Sequence, residues 1–149
     1  MVATLASAGC TGPCDRAEHS AGLVIGVSNI EASSAYRLEV VADGALLVVN
    51  YSVDAEHRLA CSDSCEASAG NFVIEPEFGW PLDGTTDARV RFAVHRAHDR
   101  DAGPGKLTLR LYRDAQLAYE QQLQPSYRTS EPAGEGCGEL AFALVEVAP

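Results

Sequence analysis

The densest group of side chains that could bind a metal or move protons lies in one short segment. His95, His98, Asp99 and Asp101 fall within seven residues, and in a turn their imidazoles and carboxylates could converge on one ion. On a strand, however, metal-binding histidines stand two residues apart so that both rings share a face, whereas these stand three apart. Two flanking arginines would also repel a cation. We therefore expect a polar loop here, with no bound metal and no cofactor.

Other signatures of catalysis are incomplete. Gly105-Lys106 is the pair that ends a phosphate-binding loop, but Arg100 and Leu107 stand where that loop needs a glycine and a Ser or Thr. The chain contains no G-x-S-x-G nucleophile motif and no H-E-x-x-H zinc motif. The carboxylates between residues 54 and 66 lack the spacing of a calcium loop. We predict that the protein is not an enzyme, and a metal-dependent hydrolase is the least favoured alternative.

One charged segment differs from the rest of the chain. The net charge is −10, which disfavours nucleic acid as a partner, yet seven of the eleven basic residues fall between 89 and 113. If the two strands predicted there pair, their outward positions form a basic stripe that could bind an anionic glycan or an acidic protein through arginine contacts. The alternative is a solvated face on which the arginines pair with carboxylates such as Glu120. The stripe consists of Arg89, Arg91, Lys106, Arg110 and the neighbouring Tyr112.

The elements that carry these residues are predicted to be strands, because apolar and polar side chains alternate and no helical stripe persists. Asp43-Gly44 is a dipeptide favoured in two-residue hairpin turns, so residues 36–53 are predicted to form a β-hairpin. After a turn at Arg113-Asp114-Ala115, the pattern places Leu117 on the core side of its strand. The final strand is apolar on both faces, so we expect it inside a sheet. Besides the hairpin, strands are predicted at 24–30, 71–74, 88–95, 106–112, 116–123 and 139–147.

This pattern predicts an all-β fold of two stacked antiparallel sheets, each with one solvated face. The number and length of the strands resemble those of immunoglobulin-like and fibronectin-like domains. That resemblance implies a sandwich of about seven to nine strands. A jelly roll or a small barrel is the alternative. With 149 residues the chain fits one domain, which we place at residues 22–149, with long irregular connections at 55–70 and 124–138.

The first residues carry features of export. Ala6-Ser7-Ala8 matches the A-x-A pattern of a secretory cleavage site. Ser7-Ala8-Gly9-Cys10 resembles the lipobox of bacterial lipoproteins, and the resemblance implies that Cys10 carries a lipid as the single membrane attachment. We expect residues 1–9 to be the remnant of a signal peptide and residues 10–21 to be a linker. The predicted location is extracytoplasmic, either as a periplasmic or outer-membrane lipoprotein or as a secreted protein.

The remaining four cysteines form an even set that fits two disulfides. The preferred pairing joins Cys61 to Cys65 and Cys14 to Cys137, although four cysteines allow three pairings. Zinc is the competing interpretation, but zinc sites favour C-x₂-C pairs and both close pairs here are spaced C-x₃-C.

Together these features favour a non-enzymatic binding or interaction module of the cell envelope or the extracellular space. Its partner is an unidentified protein or an anionic surface ligand. The alternative is a structural accessory subunit that contributes an edge strand to a surface assembly.

Overall fold

The computed structural model describes residues 22–56, 58–77, 90–130 and 140–149. These residues form strands, turns and loops, and none of them belongs to a helix that could span a membrane. The described residues form eleven strands, more than the seven to nine predicted. Eight have five or more residues, and the other three, of three residues each, lie within the segments predicted to be irregular connections, 55–70 and 124–138. In chain order they are β1 (Gly22–Val27), β2 (Ala35–Ala42), β3 (Ala45–Val53), β4 (Leu59–Cys61), β5 (Ala67–Ala69), β6 (Phe72–Pro76), β7 (Val90–Arg96), β8 (Leu107–Arg113), β9 (Gln116–Leu123), β10 (Arg128–Ser130) and β11 (Leu140–Val147).

The strands form two separate sheets. One has six strands in the order β10-β11-β1-β7-β6-β5, and the other has five in the order β4-β3-β2-β8-β9. Pairing is antiparallel between the described strands except that β11 runs parallel to β1. β11 lies between β10 and β1, which confirms the predicted interior position of the last strand. The sheets share no described strand, so the all-β, two-sheet prediction is confirmed and the small barrel is not formed by these strands.

Among the described residues, one apolar core lies between the two sheets. Side chains of both sheets belong to one buried cluster, in which Ile25 of β1 and Leu38 of β2 are each 0 % exposed. The Tyr51 ring of β3 lies 5.2 Å from the Phe92 ring of β7, across the gap between the sheets. The sheets therefore pack face to face, and alternate residues of each long strand of the five-stranded sheet point outward.

The predicted hairpin at 36–53 is confirmed. Asp43 and Gly44 both have positive φ, 45° and 88°, as a two-residue hairpin turn requires. The Asp43 carboxylate accepts hydrogen bonds from the backbone N–H groups of Gly105 and Lys106 at 2.8–3.1 Å. The β2–β3 turn is thereby fixed to the residues that lead into β8.

The β8–β9 hairpin corrects one prediction about the core. Its turn lies at Asp114 and Ala115, within the predicted Arg113–Ala115 turn, whereas Arg113 still belongs to β8. The pairing register shifts between Leu111 and Tyr112. A bulge of one residue moves the following side chains to the opposite face. Leu117 consequently lies opposite the outward-facing Tyr112 and is 53 % exposed, so its predicted position on the core side is wrong.

Candidate functional site

The basic stripe predicted from the sequence does not form. Arg91 lies on β7 in the six-stranded sheet, whereas Arg110 and Tyr112 lie on β8 in the five-stranded sheet, with Lys106 just before that strand. The two strands therefore do not pair, and the shared face on which the prediction depended is absent. Arg89, the remaining member, lies outside the described residues.

The charged side chains on the outer face of the five-stranded sheet neutralise one another. Arg110 Nε donates to Glu120 at 2.6 Å, and Arg37 donates to Glu39 at 2.8–2.9 Å. Arg110 also lies 3.7 Å from Glu39, so the two pairs are linked. The pKa of the Arg110 guanidinium is raised, chiefly through its hydrogen bond to Glu120. The two arginines and two glutamates of this cluster together carry no net charge. This corresponds to the alternative to the basic stripe, a solvated face on which the arginines pair with carboxylates.

A groove of about 820 Å³ opens on the same outer face. Asn50 of β3, Arg37 of β2 and Tyr112 of β8 stand opposite one another in register and form one row across its floor. Strand periodicity places them outward, because the neighbouring residue Leu38 is fully buried in the core. Glu39 and Ser52 line the groove next to this row. The floor thus combines one aromatic ring with amide, hydroxyl, guanidinium and carboxylate groups.

The Cys61–Cys65 disulfide stands at one end of this groove. The structure joins these two cysteines, with their Cα atoms 5.3 Å apart, as the sequence predicted. Cys61 ends β4 and, with Ser62, lines the groove. Because the bond closes a short loop, it limits the freedom of that wall. Cys10, Cys14 and Cys137 lie outside the described residues.

The histidine-rich segment forms a separate polar cluster. The alternation along residues 88–95 predicts an outward position for His95, but its side chain is buried and only 6 % of the residue is exposed. Its Nε2 lies 3.2 Å from the Glu75 carboxylate and its Nδ1 lies 2.9 Å from the Arg96 carbonyl oxygen. Arg100 also donates to Glu75. Both ring nitrogens of His95 are thus engaged, and no three metal-binding side chains come together among the described residues.

Comparison with models of known protein families, with curated proteins and with solved structures finds no match to this chain.

No groove was predicted from the sequence, although the outward direction of some of its residues was. Arg37 and Glu39 were recognisable as outward residues of the hairpin, and Tyr112 was included in the stripe. Asn50 and Ser52 were missed, although the same alternation would have placed them outward on β3. What no local pattern shows is that β2 pairs with β8, which brings Arg37 next to Tyr112.

Proposed function

We propose that this protein is a non-enzymatic extracytoplasmic binding module whose ligand occupies the groove on the outer face of the five-stranded sheet. The carrying observation is a concave site of about 820 Å³, a size typical of ligand-binding clefts. It is built on three adjacent strands and bounded by a disulfide. A site on paired strands holds its side chains in fixed positions, which lowers the entropy lost on binding.

The chemistry of the groove favours a neutral oligosaccharide as the ligand. Tyr112 offers an apolar ring face on which sugar C–H groups can pack. Arg37, Glu39 and Asn50 offer several donors and acceptors for hydroxyl groups. The anionic glycan considered from the sequence is less well suited, because Glu39 and Glu120 already balance the two arginines.

An immunoglobulin-like arrangement is part of the proposal. Constant-type immunoglobulin domains hold strands A, B, E and D in one sheet and C, F and G in the other, and variable-type domains add C′. The neighbours β3-β2-β8-β9 match C′, C, F and G, and β1-β7-β6 match B, E and D. β11 takes the place of strand A beside β1 but runs parallel to it. The strand order supports this relationship, with further departures: β11 is the last described strand whereas strand A is the first, and β10 and β5 extend this sheet at its two ends.

An extracytoplasmic location is also proposed, as a lipoprotein anchored through Cys10 or as a secreted protein. The Cys61–Cys65 disulfide supports it, because such bonds persist mainly in oxidising compartments. The lipobox-like residues before Cys10 point in the same direction.

The ligand class can be tested by NMR titration of the ¹⁵N-labelled protein. The probes are hexasaccharides of glucose, mannose and N-acetylglucosamine, with a heparin hexasaccharide as the anionic comparison. We expect a neutral hexasaccharide to shift the amide signals of Arg37, Asn50 and Tyr112, with an affinity that barely changes between low and high salt, because the ligand carries no charge for salt to screen. Tyr112→Ala should weaken binding about fivefold, since one aromatic contact contributes of the order of 1 kcal/mol.

Thr108→Ala is the matched control, because Thr108 lies on the outer face of the same strand but does not line the groove. It should bind as the parent protein does. Shifts confined to another surface would refute the groove as the binding site. Salt-sensitive binding of heparin in the groove, with no response to neutral sugars, would keep the site but reject the neutral ligand.

A further inference from the structure

The edges of the two sheets differ in length. Within the described part of the chain, three of the four edge strands, β4, β5 and β10, have only three residues each. The fourth, β9, has eight residues, Gln116–Leu123. A very short edge strand offers few backbone groups for pairing with another chain, whereas a long one offers a full row. β9 is therefore the edge best suited to accept another strand.

The side chains of β9 do little to block such pairing. Six of its eight residues are exposed, and the strand contains no lysine and no proline, the residues that commonly protect edges. Its one charged residue, Glu120, is neutralised by Arg110. The bulge lies near the start of the strand, so Tyr119–Leu123 keep a regular register with β8.

An exposed hydrophobic side chain marks the same strand. Leu117 and Leu46 are the two large hydrophobic residues exposed among the described residues, at 53 % and 50 %. Leu46 lies on the outer face of β3, in the interior of its sheet, whereas Leu117 lies on the edge strand. Leu117 reaches the surface because of the β8–β9 bulge. Burial of this side chain in an interface would remove apolar surface from water.

We propose that β9 pairs antiparallel with β9 of a second copy of this chain, so that two five-stranded sheets become one continuous sheet of ten strands. Two identical strands that run antiparallel about a twofold axis present the same edge to each other, so the contact is self-complementary. Each chain carries a net charge of −10. The β9 edge brings no unpaired charge of its own to the contact between the two copies, because Glu120 is already neutralised by Arg110. This interaction does not involve the groove. It assigns to β9 the edge-strand role that was predicted for a subunit of a surface assembly.

The test compares two double variants of equal charge by sedimentation velocity over a range of protein concentrations. Leu117→Lys with Gln122→Lys places two lysines on β9. Leu46→Lys with Val48→Lys places two lysines on the outer face of β3, in the same sheet but outside the groove. We expect the parent protein and the β3 variant to form dimers with the same concentration dependence. The β9 variant should remain monomeric, with at least a tenfold weaker association.

Hydrogen exchange of the parent protein provides a second measurement that does not depend on a variant. Amides of β9 should exchange more slowly as the concentration rises through the dimerisation range, while those of β4 should not change. A parent protein that stays monomeric at all concentrations would overturn the proposal and leave a strand of another protein as the occupant of this edge. Equal loss of dimers in both double variants would overturn it too, because the contact would then not be specific to β9.

Discussion

Gly103 lies where the Tyr127 side chain packs against the loop between β7 and β8. The Tyr127 hydroxyl donates to the Pro104 carbonyl oxygen at 2.7 Å. A Cβ added at Gly103 would collide with the Tyr127 hydroxyl oxygen and would lie 2.9 Å from Cζ and 3.0 Å from Cε1. A rigid aromatic ring cannot absorb this contact by bending, so the whole side chain must move. Gly103→Ala should therefore displace Tyr127 and break its hydrogen bond.

The expected loss of stability follows from these two effects. Overpacking of a well-packed site costs about 1–3 kcal/mol, and the loss of one hydrogen bond costs about 0.5–1.5 kcal/mol. Because Tyr127 is half-buried and can relax towards solvent, the two costs should not both reach their upper values. We therefore expect Gly103→Ala to lower the free energy of unfolding by about 2 kcal/mol. Urea unfolding followed by tyrosine fluorescence or circular dichroism measures this difference directly.

Two comparisons separate a steric effect from a general effect of alanine in the loop. Gly105→Ala meets only Asp43 Oδ1, at 3.6 Å, and should change stability by less than about 0.5 kcal/mol. In a Tyr127→Ala background the contact is gone, so Gly103→Ala should become neutral or stabilise slightly by restricting the unfolded chain. The steric reasoning is wrong if Gly103→Ala lowers stability as much in the Tyr127→Ala background as in the parent protein. It is also wrong if Gly103→Ala costs no more stability than Gly105→Ala in the parent protein.

Three further predictions concern turns and tyrosines. Ala115 has a φ of 67°, so Ala115→Gly should stabilise the protein by up to about 1 kcal/mol in thermal unfolding, whereas Gly44→Ala, at a φ of 88°, should destabilise it by about 1 kcal/mol or more. The buried Tyr51 hydroxyl has no hydrogen-bond partner among the described residues, so Tyr51→Phe should leave urea stability unchanged or raise it by about 1 kcal/mol. Tyr36→Phe should lower it by about 1 kcal/mol, because the Tyr36 hydroxyl accepts a hydrogen bond from the Glu31 N–H. Burial, with a smaller effect of Asp43, raises the pKa of Tyr127 to about 12 from 10.0. The stability that the protonated Tyr127 contributes is complete below about pH 10 and is lost as the pH rises towards 12. The stability towards urea should therefore fall over that interval, and Tyr127→Phe should make this fall smaller.

Local patterns predicted the long strands and the turns of the β2–β3 and β8–β9 hairpins. Alternation is strong where one face is buried, and Asp43-Gly44 supplies the positive φ that its turn needs. The three-residue strands β4, β5 and β10 were missed, because three residues carry too little alternation to be distinguished from a loop. Leu117 was misplaced because its bulge depends on pairing with β8 and not on the β9 residues alone.

The site was harder to predict than the fold, because it depends on which strands become neighbours. The basic stripe required β7 and β8 to pair, as sequential strands often do. Instead the chain crosses from one sheet to the other between them. Arg110 consequently meets Glu39 of β2, more than 70 positions earlier in the chain. A contact between residues so distant in sequence leaves no mark on the periodicity of either strand.

The parallel pairing of β1 with β11 has a consequence for how the molecule assembles. The backbone N–H of Ser28 bonds to the carbonyl oxygen of Val147 at 3.0 Å, between residues 119 positions apart. The five-stranded sheet uses strands from residues 35–123, and three of its four pairings join consecutive strands. The six-stranded sheet cannot be completed until residues 140–147 dock beside β1. Closing so large a loop is slow. We therefore expect the side of the core formed by the six-stranded sheet to stay partly exposed to solvent until β11 has docked, both during synthesis on a ribosome and after dilution from denaturant.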